Sequence, residues 1–177
     1  MRRLIKEALE KLVENDSDTF NLGLPKLGQS TEKERRFNRE LHETTLNHRL
    51  ALYLELGLWK ENITEYNIDI EYNRNFSDQK RVKIGKIRIP VRPDILIHKR
   101  MKINEKNPHL LVVEAKKHKI SNHDLNKIKG FMTDPRYLYE YGLTVSYAYN
   151  PRIVLATFYY KENISLRTEL IEVPRII

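Results

Sequence analysis

Two short apolar runs, residues 91–98 and 110–117, constrain this chain more than any other stretch. Both are rich in Ile, Val and Leu, and a charged segment containing Asn and Pro separates them. They read as neighbouring strands. The first carries Pro93-Asp94, and the second ends on Glu114-Ala115-Lys116. Side chains alternate along a strand, so Glu114 and Lys116 share a face with Val112, and Asp94 shares one with Leu96 and His98. Pairing of the two strands would bring two carboxylates and one ammonium to a single sheet edge. That grouping suits a hard divalent cation held by oxygen ligands, with a cation beside it.

The rest of the chain supplies elements to cover such a sheet. Leu4, Ile5, Ala8, Leu9, Leu12 and Val13 recur at helical spacing, predicting an amphipathic helix over residues 2–14 that packs on the main domain or on a partner subunit. Glu7, Glu10 and Glu14 on its polar face argue against a membrane-surface helix. Residues 15–30, with Gly23, Pro25 and Gly28, read as a linker or ordered loop. Thr31 followed by Glu34 is a capping-box pattern, so a long helix is expected from about Glu32 to Leu56, ending at Gly57. Phe37, Leu41, Thr44/Thr45, His48 and Leu52 trace one stripe and Leu46, Leu50, Tyr53 and Leu54 a second, which predicts cover on two sides. Glu43 falls in line with the second and is a candidate inward-facing carboxylate.

Residues 63–72 alternate as a half-buried strand, with Asp69 and Glu71 on its solvated face. A basic excursion over residues 73–86 follows, with a short strand near Arg81 to Ile89. After the two central runs, Ser121 or Asn122 can cap a second helix that stops at Asp134-Pro135. Residues 143–149 and 153–160 predict a hairpin, and the tail from Ser165 an edge strand. The order α-β-β-β-α-β-β predicts a three-layer α/β domain, a mixed sheet flanked by helices. The expected division is residues 1–30, an N-terminal helix and linker, and residues 31–177, the main domain.

At 177 residues the chain suffices for one well-cored domain. Its formal net charge of +8 favours a polyanionic partner, with nucleic acid ahead of an anionic membrane. The charge is concentrated. Residues 74–119 hold 14 Lys and Arg against four acids, a net +10, so the remainder sums to −2. The absence of cysteine excludes disulfides, thiolate zinc sites and cysteine nucleophiles. No window approaches the length of a membrane span, and a cytoplasmic protein is expected.

Pro93-Asp94 followed by Glu114-x-Lys116 resembles the signature of the PD-(D/E)XK nuclease superfamily, whose restriction-endonuclease-like core has this element order. Glu43 with Asn47-His48-Arg49-Leu50-Ala51, then Asp69-x-Glu71-Tyr72-Asn73-Arg74, is similar to short bacterial and phage members of it. The resemblance covers roughly residues 40–133, and no signature position departs from the pattern. It implies a metal-dependent nuclease hydrolysing phosphodiester bonds, with DNA as substrate and endonucleolytic cleavage. Asp94, Glu114, Glu43 and the backbone carbonyl of Ala115 would hold Mg²⁺, for which Mn²⁺ can substitute. Lys116 would position or help deprotonate the attacking water and offset phosphoryl charge, its pKa lowered by metal and desolvation. Glu40, one turn ahead of Glu43, is the rival helix acid.

Arg74, Lys80, Lys117, Lys119 and Lys127 are the expected phosphate contacts. Lys127 has a second reading as the i,i+3 partner of Asp124. His42, His98 and His118 lie close enough to the site to reach phosphate, though each also reads as an ordinary polar residue. His48 and Arg49 read as a packing pair, with Arg49 available to brace an acid. Tyr72, Tyr137, Tyr139 and Tyr141 are weaker candidates for stacking on unpaired bases. A lone Glu-x-Lys is by default a surface pair. The second acid and the element order tip this one towards a metal site. The alternative is a module of the same fold that binds nucleic acid for a partner protein without cleaving it. A second copy of the chain is a further candidate partner.

Overall fold

A computed structural model describes residues 1–20, 43–75, 78–100, 106–150 and 152–175. In chain order the helices are α1 (Arg2–Asn15), the single turn α2 (Ser17–Phe20), α3 (Glu43–Lys60) and α4 (Asn122–Thr133). The strands are β1 (Asn67–Ile70), β2 (Arg74–Asn75), β3 (Asp78–Gln79), β4 (Arg81–Ile84), β5 (Ile87–Pro90), β6 (Ile95–His98), β7 (His109–Lys116), β8 (Tyr141–Asn150), β9 (Ile153–Glu162) and β10 (Ser165–Pro174). Six of them form one mixed sheet in the order β1-β6-β7-β8-β9-β10. β7 and β8 run parallel, joined through α4, and the other neighbours are antiparallel. β2–β3 and β4–β5 are separate two-stranded ribbons.

The two central apolar runs are the middle of this sheet. β6 pairs with β7 in a register that sets Ile95 against Val113 and Leu96 against Val112. Ile95, Ile97, Leu111, Val113 and Ala115 face a core shared with α1 and α3, while Leu96 and Val112 face a second core under α4 and β4. A strand buried on both faces needs apolar side chains at successive positions, hence Leu110-Leu111-Val112-Val113. Leu4, Ile5, Ala8, Leu9, Leu12 and Val13 of α1 belong to the same core as Leu46, Leu50 and Leu54 of α3. The N-terminal helix is thus built into the body of the domain.

Several elements differ from the sequence reading. The helix expected to stop at Gly57 continues to Lys60. Gly57 serves close approach, because a Cβ there would lie 3.0 Å from Leu4 Cγ on α1. The stop comes from Asn62, which takes a left-handed backbone at φ 59. Among the described residues of the first stripe Thr44, Thr45 and His48 are exposed and Leu52 is half-buried, whereas the Leu46, Leu50, Tyr53 and Leu54 line is buried. The portion of that helix before Glu43, with Glu40 and His42, lies outside the described residues. The excursion after β1 holds two ribbons where one short strand was expected. The second helix begins as anticipated. Ser121 accepts from Asp124 N, and the Asp124 carboxylate returns to Ser121 N at 3.0 Å, a reciprocal cap.

Candidate active site

Asp94 enters the sheet just ahead of β6 and is tied to β7 twice. Its backbone N–H donates to Val113 O at 3.2 Å, and its Oδ2 accepts from Ala115 N at 2.7 Å. Ala115 N is one residue past Glu114, so the register that pairs Leu96 with Val112 carries both acids to the same end of the sheet. Burial, partly offset by the Ala115 N–H and Lys116, raises the pKa of Asp94, and Glu43 adds to the rise.

Glu114 is fully buried on the α4 side of β7. Lys127 Nζ donates to its Oε2 and also lies 3.4 Å from Asp124 Oδ1. Oε1 of Glu114 is buried with no hydrogen-bond partner. Burial, against the pull of Lys127, pushes the Glu114 pKa up to about 8, and Asp94 contributes to the rise. An ionised carboxylate with one unpaired buried oxygen is costly unless a cation or proton meets it.

Glu43, the first residue of α3, spans the other side. Its Oε1 accepts from Lys116 Nζ at 3.1 Å and its Oε2 from Lys117 N at 2.8 Å. The Lys116 ammonium also donates to Ala115 O at 2.8 Å and lies 3.9 Å from Asp94 Oδ2. Burial acts to lower the Lys116 pKa, but Asp94 and Glu43 outweigh it and the net shift is upward. The lowered value expected from sequence is therefore reversed in the chain alone, where two carboxylates hold Lys116 as a cation. Beneath these groups, fully buried Tyr147 donates to Asn47 Oδ1 at 2.8 Å, anchoring α3 one turn beyond Glu43 to β8.

The described residues contain no group of three or more His, Cys, Asp or Glu side chains positioned to enclose a metal. A sparser site fits: Asp94, Glu114 with its unpartnered Oε1, and the carbonyl of Ala115 supply hard oxygen donors at one sheet end. Mg²⁺ retains most of its waters and binds through one or two carboxylates, so this set suffices for it.

The expected basic contacts divide. Arg74 and Lys119 are exposed and Lys117 is half-buried. Lys80 is a correction: it is 2% exposed, lies 4.3 Å over the Tyr72 ring and donates to Arg74 O, so its ammonium is withdrawn from the surface. Burial lowers its pKa to about 8. Lys127 is committed to Glu114 and Asp124 and belongs with the acids. Tyr137 and Tyr139 are buried against Phe131 and His109 rather than presented for stacking.

Asp69 is not solvated as its strand position suggested. It bonds His98 Nε2 at 2.8 Å and Arg100 Nε at 2.8 Å. Burial opposes its ionisation, but these two partners outweigh burial and hold its pKa well below the usual carboxylate range. Arg49 braces Asp16 at 2.7 Å and Tyr53 at 2.8 Å. Asp124 was read from sequence only as the partner of Lys127. It also caps α4 and so fixes where Lys127 emerges. The capping-box spacing Ser121-x-x-Asp124 was the available signal.

A separate cleft of about 740 Å³ opens beside His109, Tyr141, Phe158 and Tyr160. His109 begins β7, five residues before Glu114, which puts the cleft roughly 17 Å along the strand from the acids. Of the residues singled out from sequence, the stacking candidates Tyr137 and Tyr141 line it, and none of the acids or expected phosphate contacts does.

Comparison with protein-family profiles, with curated proteins and with solved structures finds no match to this chain.

Proposed function

We propose that the chain is a divalent-metal-dependent nuclease that hydrolyses phosphodiester bonds in DNA, acting as an endonuclease. The observation that carries this reading is the fully buried Glu114, with one oxygen unpartnered, beside Asp94 and within reach of a lysine–carboxylate cluster. We read the mixed sheet, with α4 between parallel β7 and β8, as a restriction-endonuclease-like core of the PD-(D/E)XK kind.

Mg²⁺, when bound, would supply Lewis-acid polarisation of the phosphoryl oxygen and a water acidic enough to attack near neutral pH. Asp94, Glu114 and the Ala115 carbonyl would hold it. The chain's own groups do the remaining work. Lys116, kept protonated by Asp94 and Glu43, offers its N–H groups to a phosphoryl oxygen and neutralises charge as it develops. Glu43 fixes that ammonium from α3 while pinning Lys117 N, so α3 and β7 move as one piece at the site. Lys127 holds Oε2 of Glu114 and leaves the unpartnered Oε1 for a cation.

One observation favours the non-cleaving alternative: Glu43 is already paired with Lys116, and Glu114 with Lys127. Such charge compensation suits a nucleic-acid-binding module that needs no metal. Calorimetric titration with Mn²⁺ separates the two. A site-specific heat lost in Asp94→Asn and Glu114→Gln, together with metal-dependent cleavage on a panel of duplex, branched and single-stranded substrates, is the expected result. Absence of both would leave the binder.

A further inference from the structure

The β4–β5 hairpin lies outside the acid cluster and carries four cations, Arg81, Lys83, Lys86 and Arg88, with no carboxylate of its own. Its register pairs Val82 with Ile89 and Ile84 with Ile87, which puts the apolar pairs on one face. Lys83 faces Arg88 on the other. Like charges directly opposite one another destabilise a ribbon. A polyanion laid along that face would turn the repulsion into attraction. Arg88 has a carboxylate, Asp134, at 3.3 Å, but Arg136 already holds that group at 2.9 Å. Arg81, Lys83 and Lys86 are exposed and have no carboxylate partner among the described residues.

The hairpin is rigidly mounted. Val82 is fully buried where α4 has Gly130, and a Cβ at Gly130 would lie 3.1 Å from Val82 Cβ. Tyr137 OH accepts from Arg81 N and donates to Arg81 O, each at 3.0 Å, and Arg136 also donates to Arg81 O. The turn is the two-residue Gly85-Lys86, with Gly85 at φ +60, a conformation that costs glycine little. The hairpin also sits close to the site. Pro90 precedes Asp94 by four residues, so its base is at most about 14 Å from that acid. Gly130 is one helical turn beyond Lys127 on the same helix.

We propose that β4–β5 is a ribbon that binds duplex nucleic acid. Its outer row of Arg81, Lys83, Lys86 and Arg88 contacts backbone phosphates and holds the duplex over Asp94 and Glu114. The identity of the polyanion rests on the nuclease reading, which this inference deepens. A two-stranded ribbon fits a B-form major groove about 12 Å wide. A membrane is the poorer fit, because the hairpin's apolar face is turned into α4 and leaves Ile87 at the tip as its one exposed large apolar side chain.

The test compares the wild-type chain with Lys83→Ala/Lys86→Ala, both checked for the same circular dichroism and Tm. Fluorescence anisotropy with a duplex of about 20 base pairs in EDTA, from about 50 to about 200 mM salt, reads phosphate contacts without cleavage. Loss of two contacts lowers the slope of log K against log salt by about 1.8. Over that four-fold salt range, the wild type should therefore lose about 12-fold more affinity than the variant. Lys83→Arg/Lys86→Arg should restore the wild-type slope. An unchanged slope in the alanine variant overturns the proposal. So does an equal effect on the matching single strand, or an effect seen only on phosphatidylserine vesicles. A wild type that shows the slope but cleaves nothing loses the nuclease reading and keeps the ribbon. One that cleaves, with the slope unmoved in the variant, does the reverse.

Discussion

Lys127, on the second turn of α4, rests its ammonium against Oε2 of Glu114 on β7, and the opposite oxygen of that carboxylate is buried without a partner. The pair makes a prediction about pH. Folded Glu114 keeps its proton up to about 8, against an ordinary value of 4.5, so across that window the folded state binds more protons than the unfolded. Stability is then lost as pH rises, by up to about 1.4 kcal/mol per unit. Burial has the opposite consequence for His109, lowering it from 6.5 to about 4, so its contribution grows with pH over that lower range. The two oppose each other between 4.5 and 6.5, Glu114 governs above 6.5, and Lys80, lowered by burial to about 8, offsets it towards the top of the window. Urea denaturation in EDTA should show about 1 kcal/mol lost over the upper window. Glu114→Gln should abolish that slope and expose the rising His109 limb below it. A flat upper window in the wild type would mean that Glu114 is not buried as described.

Asp94→Asn separates charge from structure. The amide oxygen still accepts from Ala115 N, so the strand junction keeps its hydrogen bond and the fold should lose no more than about 1 kcal/mol. The negative charge needed for a divalent cation is gone. Cleavage should fall at least about 100-fold, while duplex affinity in EDTA changes less than threefold. Metal-dependent cleavage at the wild-type rate would remove Asp94 from the mechanism.

On the proposed reading Glu43, whose Oε1 accepts from Lys116 Nζ, acts through that ammonium and not on the substrate directly. Glu43→Gln keeps an oxygen for Lys117 N but withdraws the charge that helps hold the Lys116 pKa up. Expected are a fall of about tenfold in kcat with KM nearly constant, and an alkaline limb of the pH–rate profile moved to lower pH. A purely structural role would instead lower Tm and leave the pH profile where it was.

Much of the core was legible because its signals are local. β7 reads as a continuous apolar run because both faces are covered, and α4 announces itself through Ser121 and Asp124. The approach of Lys116 to within 3.9 Å of Asp94 was legible once the two strands were neighbours. What stayed hidden depends on partners distant in sequence. Asp69 looked solvated because nothing near it shows that His98 and Arg100 will close over it. Lys80, in a run of basic residues, gave no sign that it would be buried over Tyr72. Gly57 reads as a helix stop in any single sequence, and only the approach of Leu4 from α1 explains its place inside one.

Gly142 on β8 ties packing to the site. It pairs with Val112 on β7, and an added Cβ would lie 2.6 Å from Ile128 Cγ2 and 2.9 Å from Met132 Sδ, both on α4. A methyl group there cannot be housed without shifting Ile128 and Met132 on the inner face of α4. Gly142→Ala should cost about 1–3 kcal/mol through overpacking, read as a lowered urea midpoint. Lys127 rides on the same helix, so its ammonium would be drawn away from Glu114. Metal-dependent cleavage should therefore fall under conditions where the variant is still fully folded. Ile128→Ala, which removes the Cγ2 methyl in the tightest contact, should make the two losses less than additive in the double variant. Full activity and an unchanged midpoint in Gly142→Ala would show that α4 does not set the position of Lys127.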